Sequence, residues 1–246
     1  NAESLQLRDK DFYEKAGIDV IHDSVYSIHT DKKKVTFSRK KHIDYDKLVI
    51  ATGGVPRKPP IKGIEAKNVY FLKSAKDQGD IKKAAANVKK GIALVGSGFI
   101  GSECAAALKM KYKDQFDVHL VGMESEPLEL ALGKEVGAMV RSEHEKHGVQ
   151  VHMNKGVKSI IEGPDGEAVG VKLSGNVTLD VDMVIVGTGS VPCTKFLERT
   201  ETGIKLDKQG AIVTDPFLQT SHPDIYAAGD VASFPYWYTG QMTRVE

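Results

Sequence analysis

The chain has 246 residues, 41% hydrophobic and 27% charged, with 24 Gly and 9 Pro; these globular values exclude a disordered tail and a low-complexity or collagen-like repeat. Its longest run without a charged residue spans positions 231–243 and contains Pro235, too short for a membrane helix of roughly 18 or more apolar residues. The formal net charge of +1 is unevenly divided, since residues 1–90 hold 20 Lys+Arg against 12 Asp+Glu, leaving 14 against 21 for the rest. The basic runs Lys32-Lys33-Lys34 and Arg39-Lys40-Lys41 read as a hairpin turn and a strand edge rather than as a nucleic-acid or acidic-partner surface. Cys104 and Cys193 form neither a disulfide framework nor a Cys-x-x-Cys motif, which suits an intracellular protein, cytoplasmic or mitochondrial. A start at Asn1 without Met is read as a processed form or a fragment.

In chain order, residues 18–51 predict a meander of short strands separated by charged turns, beginning with the run at 18–22 and ending in Leu48-Val49-Ile50 and an abrupt Thr52-Gly53-Gly54 turn. Pro56, Pro59, Pro60 and Gly63 then predict a connector. A polar helix is predicted over 74–90, and Ile92-Ala93-Leu94-Val95 reads as a buried parallel strand. Gly96-Ser97-Gly98-Phe99-Ile100-Gly101 follows at once, then a helix over 102–112 and a strand over 117–121: a βαβ unit. A second amphipathic helix is expected over 132–147, closed by Gly148, before a strand at 149–153. Residues 157–186 predict three short strands split by two turn signals, delivering Met183-Val184-Ile185-Val186 into Gly187-Thr188-Gly189. This repeats the strand and Thr-Gly turn at 48–53, evidence for two related domains.

The Gly96-x-Gly98-x-x-Gly101 pattern, placed between strand and helix, predicts dinucleotide binding. Gly96 permits the tight turn, Gly98 lets the backbone approach a pyrophosphate, and Gly101 lets helix and strand pack closely. The helix N-terminus supplies N–H donors and positive dipole to the phosphates. Beyond the second strand, Glu124 is the carboxylate that would bind ribose hydroxyls, and no Arg follows it to hold a 2′-phosphate; the expected cofactor is NADH rather than NADPH. The alternative is a solvated loop carboxylate.

Four ordered segments, at 48–57, 96–103, 186–192 and 224–230 (Asp-Ile-Tyr-Ala-Ala-Gly-Asp), give the chain a family likeness. It resembles the FAD-dependent pyridine nucleotide-disulfide oxidoreductases, in the ferredoxin-reductase and apoptosis-inducing-factor branch, nearest the third apoptosis-inducing-factor type. The resemblance implies an α/β fold of two Rossmann-like, glutathione-reductase-like domains, each with a β-meander, the NAD domain inserted into a partial FAD domain. The expected division is 1–72 and 199–246 for the FAD domain and 73–198 for the NAD domain. It further implies that Ala51, Thr52, Gly53 and Arg57 lie against FAD and that Asp230, after Gly229, contacts its ribityl and phosphate region. Glu103 matches a glutamate near the nicotinamide, its alternative being a helix-dipole partner in the first turn, and Gly187, Thr188 and Gly189 match the loop that closes the NAD site.

The family's first Gly-x-Gly-x-x-Gly is not among these residues, and related proteins run on past Glu246, so a fragment is expected: a whole NAD domain with two pieces of an FAD domain. The implied reaction is hydride transfer from NADH to FAD and electron delivery to a second acceptor, a ferredoxin- or Rieske-type iron–sulfur protein or a small molecule. No catalytic acid, base or metal is expected. The rival reading is an NADH-responsive sensor or interaction protein. His144 and His147 are read as a solvated helix face, Cys104 as a small buried residue, and Tyr236-Trp237-Tyr238 as local packing or a flavin- or partner-facing patch.

Overall fold

The computed structural model describes residues 7–39 and 41–244. Two compact units divide the chain, one of residues 1–55 and 191–246, the other of residues 56–190. The first begins with helix α1 (Lys10–Lys15), which the sequence pattern did not reveal and which Asp9 caps by accepting from Phe12 N at 2.8 Å. Strands β1 (Val25–His29), β2 (Lys34–Phe37) and β3 (His42–Asp44) form an antiparallel meander, followed by β4 (Leu48–Ile50) and β5 (Gly54–Pro56). Residues 18–22 form no strand, contrary to expectation, and Ile18, Val20 and Ile21 are exposed. A β-rich run becomes a strand only where a ladder partner exists, and β1 takes β2 from Val25 onward.

In the second unit, β6 (Val69–Phe71) leads to α2 (Ala75–Ala85), whose N-cap Ser74 and Asp77 form a reciprocal capping box. Next come β7 (Gly91–Val95), α3 (Phe99–Tyr112), β8 (Asp117–Val121), α4 (Glu129–Leu132), α5 (Lys134–Lys146) and β9 (Val149–His152). The helix expected over 132–147 is α5, starting two residues later than expected, and the short α4 before it, which the sequence pattern did not reveal, is separated from it by Gly133 at φ +82°, outside helical geometry. Antiparallel β10 (Val157–Glu162), β11 (Ala168–Leu173) and β12 (Thr178–Leu179) precede β13 (Met183–Val186). The parallel sheet runs β6-β13-β7-β8-β9. Because β6 is its edge strand, residues 56–72 belong to this compact unit, and the divisions fall at 55/56 and 190/191 rather than at 72/73 and 198/199.

Every residue of β7 and β13 is buried, the near-continuous apolar pattern of a parallel strand covered on both faces. Ile92, Leu94, Leu120 and Ile185 pack with Ala105 and Leu108 of α3 on one face. Ala93, Val95, Val184 and Val186 pack with the β10–β12 meander on the other. Asn68 ties these layers: its side-chain N–H groups donate to the carbonyls of Ala168 (2.9 Å) and Asp182 (2.5 Å), and its carbonyl accepts from Ala168 N.

Returning to the first unit, the chain runs through β14 (Ser190–Pro192), β15 (Ile212–Val213), β16 (Ile225–Ala227), β17 (Ala232–Pro235) and β18 (Met242–Thr243). Strand β16 pairs in parallel with β4, Ile225 opposite Leu48. The basic runs sit in and beside the turns of the first meander, apart from Lys40, which lies outside the described residues. Lys33 reaches Asp224 at 2.7 Å, Lys47 reaches it at 2.5 Å, and Lys34 pairs with Asp44 at 3.6 Å. The two ammonium groups hold the Asp224 carboxyl down at about 2, below its ordinary 3.8. A depressed carboxyl contributes stability that is present above the unfolded-state value and is lost as the pH falls through the folded one. Acid unfolding should therefore steepen between about pH 4 and 2, and Asp224→Asn should flatten that limb in denaturant titrations at several pH values.

Candidate dinucleotide site

The second unit builds a cradle at the carboxyl ends of β7, β8 and β13. The chain leaves β7 at Gly96, which adopts φ +109°; a Cβ there would overlap the Gly187 carbonyl oxygen and stand 2.8 Å from its carbon. Gly96 therefore serves both the turn and the close approach of the 187–189 loop, whose Gly187 N donates to Val95 O at 2.8 Å. At Gly101 a Cβ would overlap the Gly96 carbonyl oxygen and reach Leu120 Cδ1 at 3.4 Å, so only glycine lets α3 settle on the sheet. At Gly98, the N-cap of α3, a Cβ would meet no atom of the described residues within 4 Å. The start of a 14-residue helix thus presents bare backbone and the positive end of its dipole to open space, which fits a diphosphate. Phe99 and Ile100 are exposed beside it.

Glu124 lies two residues beyond Gly122 at the end of β8. Instead of standing free in a loop, it is half-exposed and accepts a hydrogen bond from Ser97 Oγ at 3.1 Å. Glu103 is exposed in the second turn of α3 and lines a groove of about 490 Å³ with Leu72, Cys104 and Ile185. The first turn carries no acidic residue, so the reading of Glu103 as a first-turn dipole partner is corrected. Thr188 Oγ1 donates to Arg57 O at 3.3 Å, and Arg57 N donates to Gly189 O at 2.9 Å. Arg57, grouped by sequence with Ala51–Gly53, is thereby tied through its backbone to the 187–189 loop.

In the first unit, parallel pairing of β4 with β16 brings the Ala51-Thr52-Gly53 turn and the Gly229-Asp230 turn to the same strand ends, with Ala228 N donating to Ile50 O at 3.0 Å. Thr52 Oγ1 donates to Cys193 O at 2.9 Å, and Cys193 N donates to Gly53 O. Ala51 and Thr52 are exposed and Asp230 is half-exposed, so the backbone of the 51–53 turn is open to a polar ligand.

Other sequence candidates resolve differently. His144 is buried, not solvated, because it turns inward from α5, and burial pushes its imidazole below the ordinary value. His147 is exposed, its Nδ1 bonded to Glu143 O. Among the described residues no group of three or more His, Cys, Asp or Glu is placed to hold a metal. Cys104 is half-buried, and burial with the Glu103 charge pushes its thiol up, away from a reactive thiolate. Trp237 is exposed in the β17–β18 hairpin, edge-on to both Tyr236 and Tyr238.

Sequence reasoning missed a His119–His152 pair on adjacent strands, Nδ1 to Nε2 at 3.1 Å. Burial, with His152 nearby, drives His119 down to about 4. It also missed the Ser97 link to Glu124. Neither pair has a sequence signal, because both depend on strand neighbours far apart in the chain.

Residues 3–245 match the pyridine nucleotide-disulphide oxidoreductase family. The chain belongs to that family. Its members are flavin-dependent NAD(P)H oxidoreductases, and the matched span includes every element of the cradle. The chain is 33% identical to human apoptosis-inducing factor 3 over 99% of its own length and 39% of that protein's. It superposes on the ferredoxin reductase for the CYP199A2 system from Rhodopseudomonas palustris with a TM-score of 0.92, at 27% identity, covering 100% of this chain and 59% of that one. For the covalent putidaredoxin reductase–putidaredoxin complex the TM-score is 0.90, at 29% identity, covering 100% and 58%. The chain therefore spans less than two thirds of each. The expected mixed α/β fold with a Rossmann-like parallel sheet is confirmed. Among the described residues no helix is long and apolar enough to cross a membrane.

Proposed function

We propose that residues 56–190 bind the pyridine nucleotide and that residues 1–55 and 191–246 form part of the flavin unit of an NADH-dependent flavoprotein reductase. Its acceptor would be an iron–sulfur protein of the ferredoxin class. The observation that carries this reading is the cradle itself: two glycines that steric overlap forbids replacing, and a third, Gly98, open to a ligand.

The backbone from Ser97 to Gly101, at the start of α3, would hold the pyrophosphate, and the 187–189 loop would close over the nucleotide. Glu124 would accept from the ribose hydroxyls. Arg141, the arginine of the helix that follows, donates to Glu145 at 2.9 Å and pairs with Glu126 at 3.7 Å, so it is already engaged rather than offered to a 2′-phosphate; this favours NADH. Glu103 would accept from the nicotinamide carboxamide and orient the ring. In the flavin unit, the Ala51–Gly53 turn, Gly229 and the Asp230 carboxylate would hold FAD. FAD, when bound, supplies two-electron acceptance from the nicotinamide and onward release to the acceptor. The chain's own task is positioning and exclusion of water, and no side-chain acid or base is needed. The iron–sulfur acceptor is supported by the structural neighbour whose partner is putidaredoxin.

The test is an anaerobic visible spectrum of the flavin-loaded protein before and after one equivalent of NADH, with NADPH in parallel. Bleaching of the flavin band by NADH, and far slower bleaching by NADPH, is the expected result. A flavin left oxidised by both nucleotides would overturn the reductase reading in favour of a sensor or binding role.

A further inference from the structure

We propose that Ser97 sets the nucleotide preference of this unit by holding the Glu124 carboxylate in place, with Gly122 clearing the room its hydroxyl requires. The proposal rests on the assignment of Glu124 to the ribose hydroxyls made above. Ser97 occupies the variable position between the first two glycines of the turn, where the pattern itself demands no particular side chain. It is nevertheless buried, and its hydroxyl donates to Glu124 at 3.1 Å.

Both ends of this hydrogen bond are held by main chain. The Ser97 carbonyl accepts from Leu128 N at 2.9 Å and from Ser102 Oγ at 3.4 Å. Gly122 continues the ladder beyond β8, donating to His152 O at 3.0 Å and accepting from Lys155 N at 2.9 Å, while Glu124 O accepts from Asn154 N at 2.9 Å. A Cβ at Gly122 would overlap Ser97 Oγ and lie 2.7 Å from Ser97 Cβ and 2.6 Å from Met153 Cε. Glycine there is thus a condition for the Ser97 side chain to fit beneath the strand end.

A carboxylate offers about four lone-pair positions, so the one given to Ser97 leaves others for a ribose hydroxyl. An unpinned glutamate would lose side-chain freedom when it bound that hydroxyl, and it could swing aside to admit a 2′-phosphate. Held by Ser97, it is preorganised for the hydroxyl and stays where it repels the phosphate. The hydroxyl therefore acts on NADH and NADPH in opposite directions, as a specificity-determining positioning residue.

The experiment titrates the 246-residue chain with NADH and with NADPH, followed by nucleotide fluorescence, for wild type, Ser97→Ala, Glu124→Gln and the double variant. The expected Ser97→Ala result is a fall of about fivefold in the ratio of NADPH to NADH dissociation constants, the equivalent of one hydrogen bond. Glu124→Gln should lower the ratio about tenfold or more, since charge and acceptor are lost together. The double variant should fall no further than Glu124→Gln, because Ser97 acts only through that carboxylate. Gly122→Ala, which keeps Ser97 but displaces its hydroxyl, should reproduce the Ser97→Ala ratio. If Ser97→Ala weakens both nucleotides equally, or leaves the ratio unchanged while Glu124→Gln lowers it, Ser97 is structural and the proposal falls alone. If Glu124→Gln leaves the ratio unchanged, the ribose assignment falls and the proposal with it.

Discussion

Gly98→Ala should all but abolish dinucleotide binding while leaving the fold intact, whereas Gly101→Ala should damage the fold itself. The two glycines stand three residues apart in one turn, and the contrast follows from what a methyl group would meet. At Gly98 it enters open space, and φ of −74° is ordinary for alanine. The structural cost is the lost N-cap preference, less than about 1 kcal/mol. The same methyl would occupy the approach a pyrophosphate needs. Even one lost hydrogen bond to a charged group is worth roughly 1.5–3 kcal/mol, so NADH affinity should fall about 10-fold or more, and further as more than one of the turn's donors is displaced. At Gly101 the methyl overlaps a backbone oxygen that belongs to the glycine turn and cannot rotate away. Helix α3 must then lift from the sheet, at about 3 kcal/mol or more. In a chain of this size that lowers Tm by roughly 6–12 °C. Thermal melts paired with NADH titrations separate the two outcomes. A Gly98→Ala protein that binds NADH normally would remove the cradle from the proposed function.

Leu120→Ala should be the most damaging of the simple core truncations near the site. Leu120 is fully buried in β8, packed with Leu94, Ala105 and Leu108, and its Cδ1 is the side-chain atom nearest to where a Gly101 Cβ would lie. Removing it takes away transfer energy and leaves a cavity under the first turn of α3, costing about 3 kcal/mol within a usual range of 2–5. Urea unfolding should show a lower midpoint with little change in slope. Because the cavity lies beneath the helix start that would hold the phosphates, NADH affinity should drop as well, though less than for Gly98→Ala. A loss of under 1 kcal/mol would mean that α3 is seated by other contacts.

Much of the fold was legible because its signals are local. The apolar run at 92–95, the Gly96–Gly101 turn, the helix after it and the strand at 117–121 are each dictated by neighbours within a few residues, and all were found close to where the pattern put them, the helix starting three residues earlier, at Phe99. Two features misled. The run at 18–22 has strand composition but no partner strand, and residues 56–72 were expected with the first domain although Val69–Phe71 supplies the edge of the parallel sheet.

By itself, the sequence determined that a strand, a glycine turn and a helix follow one another and that a carboxylate comes after the next strand. Those are relations along the chain. Tertiary structure alone decided that Ser97 reaches Glu124, that His119 meets His152, that His144 turns inward and that the 187–189 loop lies on Gly96. Each of these depends on which strand ends become neighbours in the sheet and which residues face its covered side. That adjacency comes from burying apolar surface across the whole unit, a quantity no short window of residues contains.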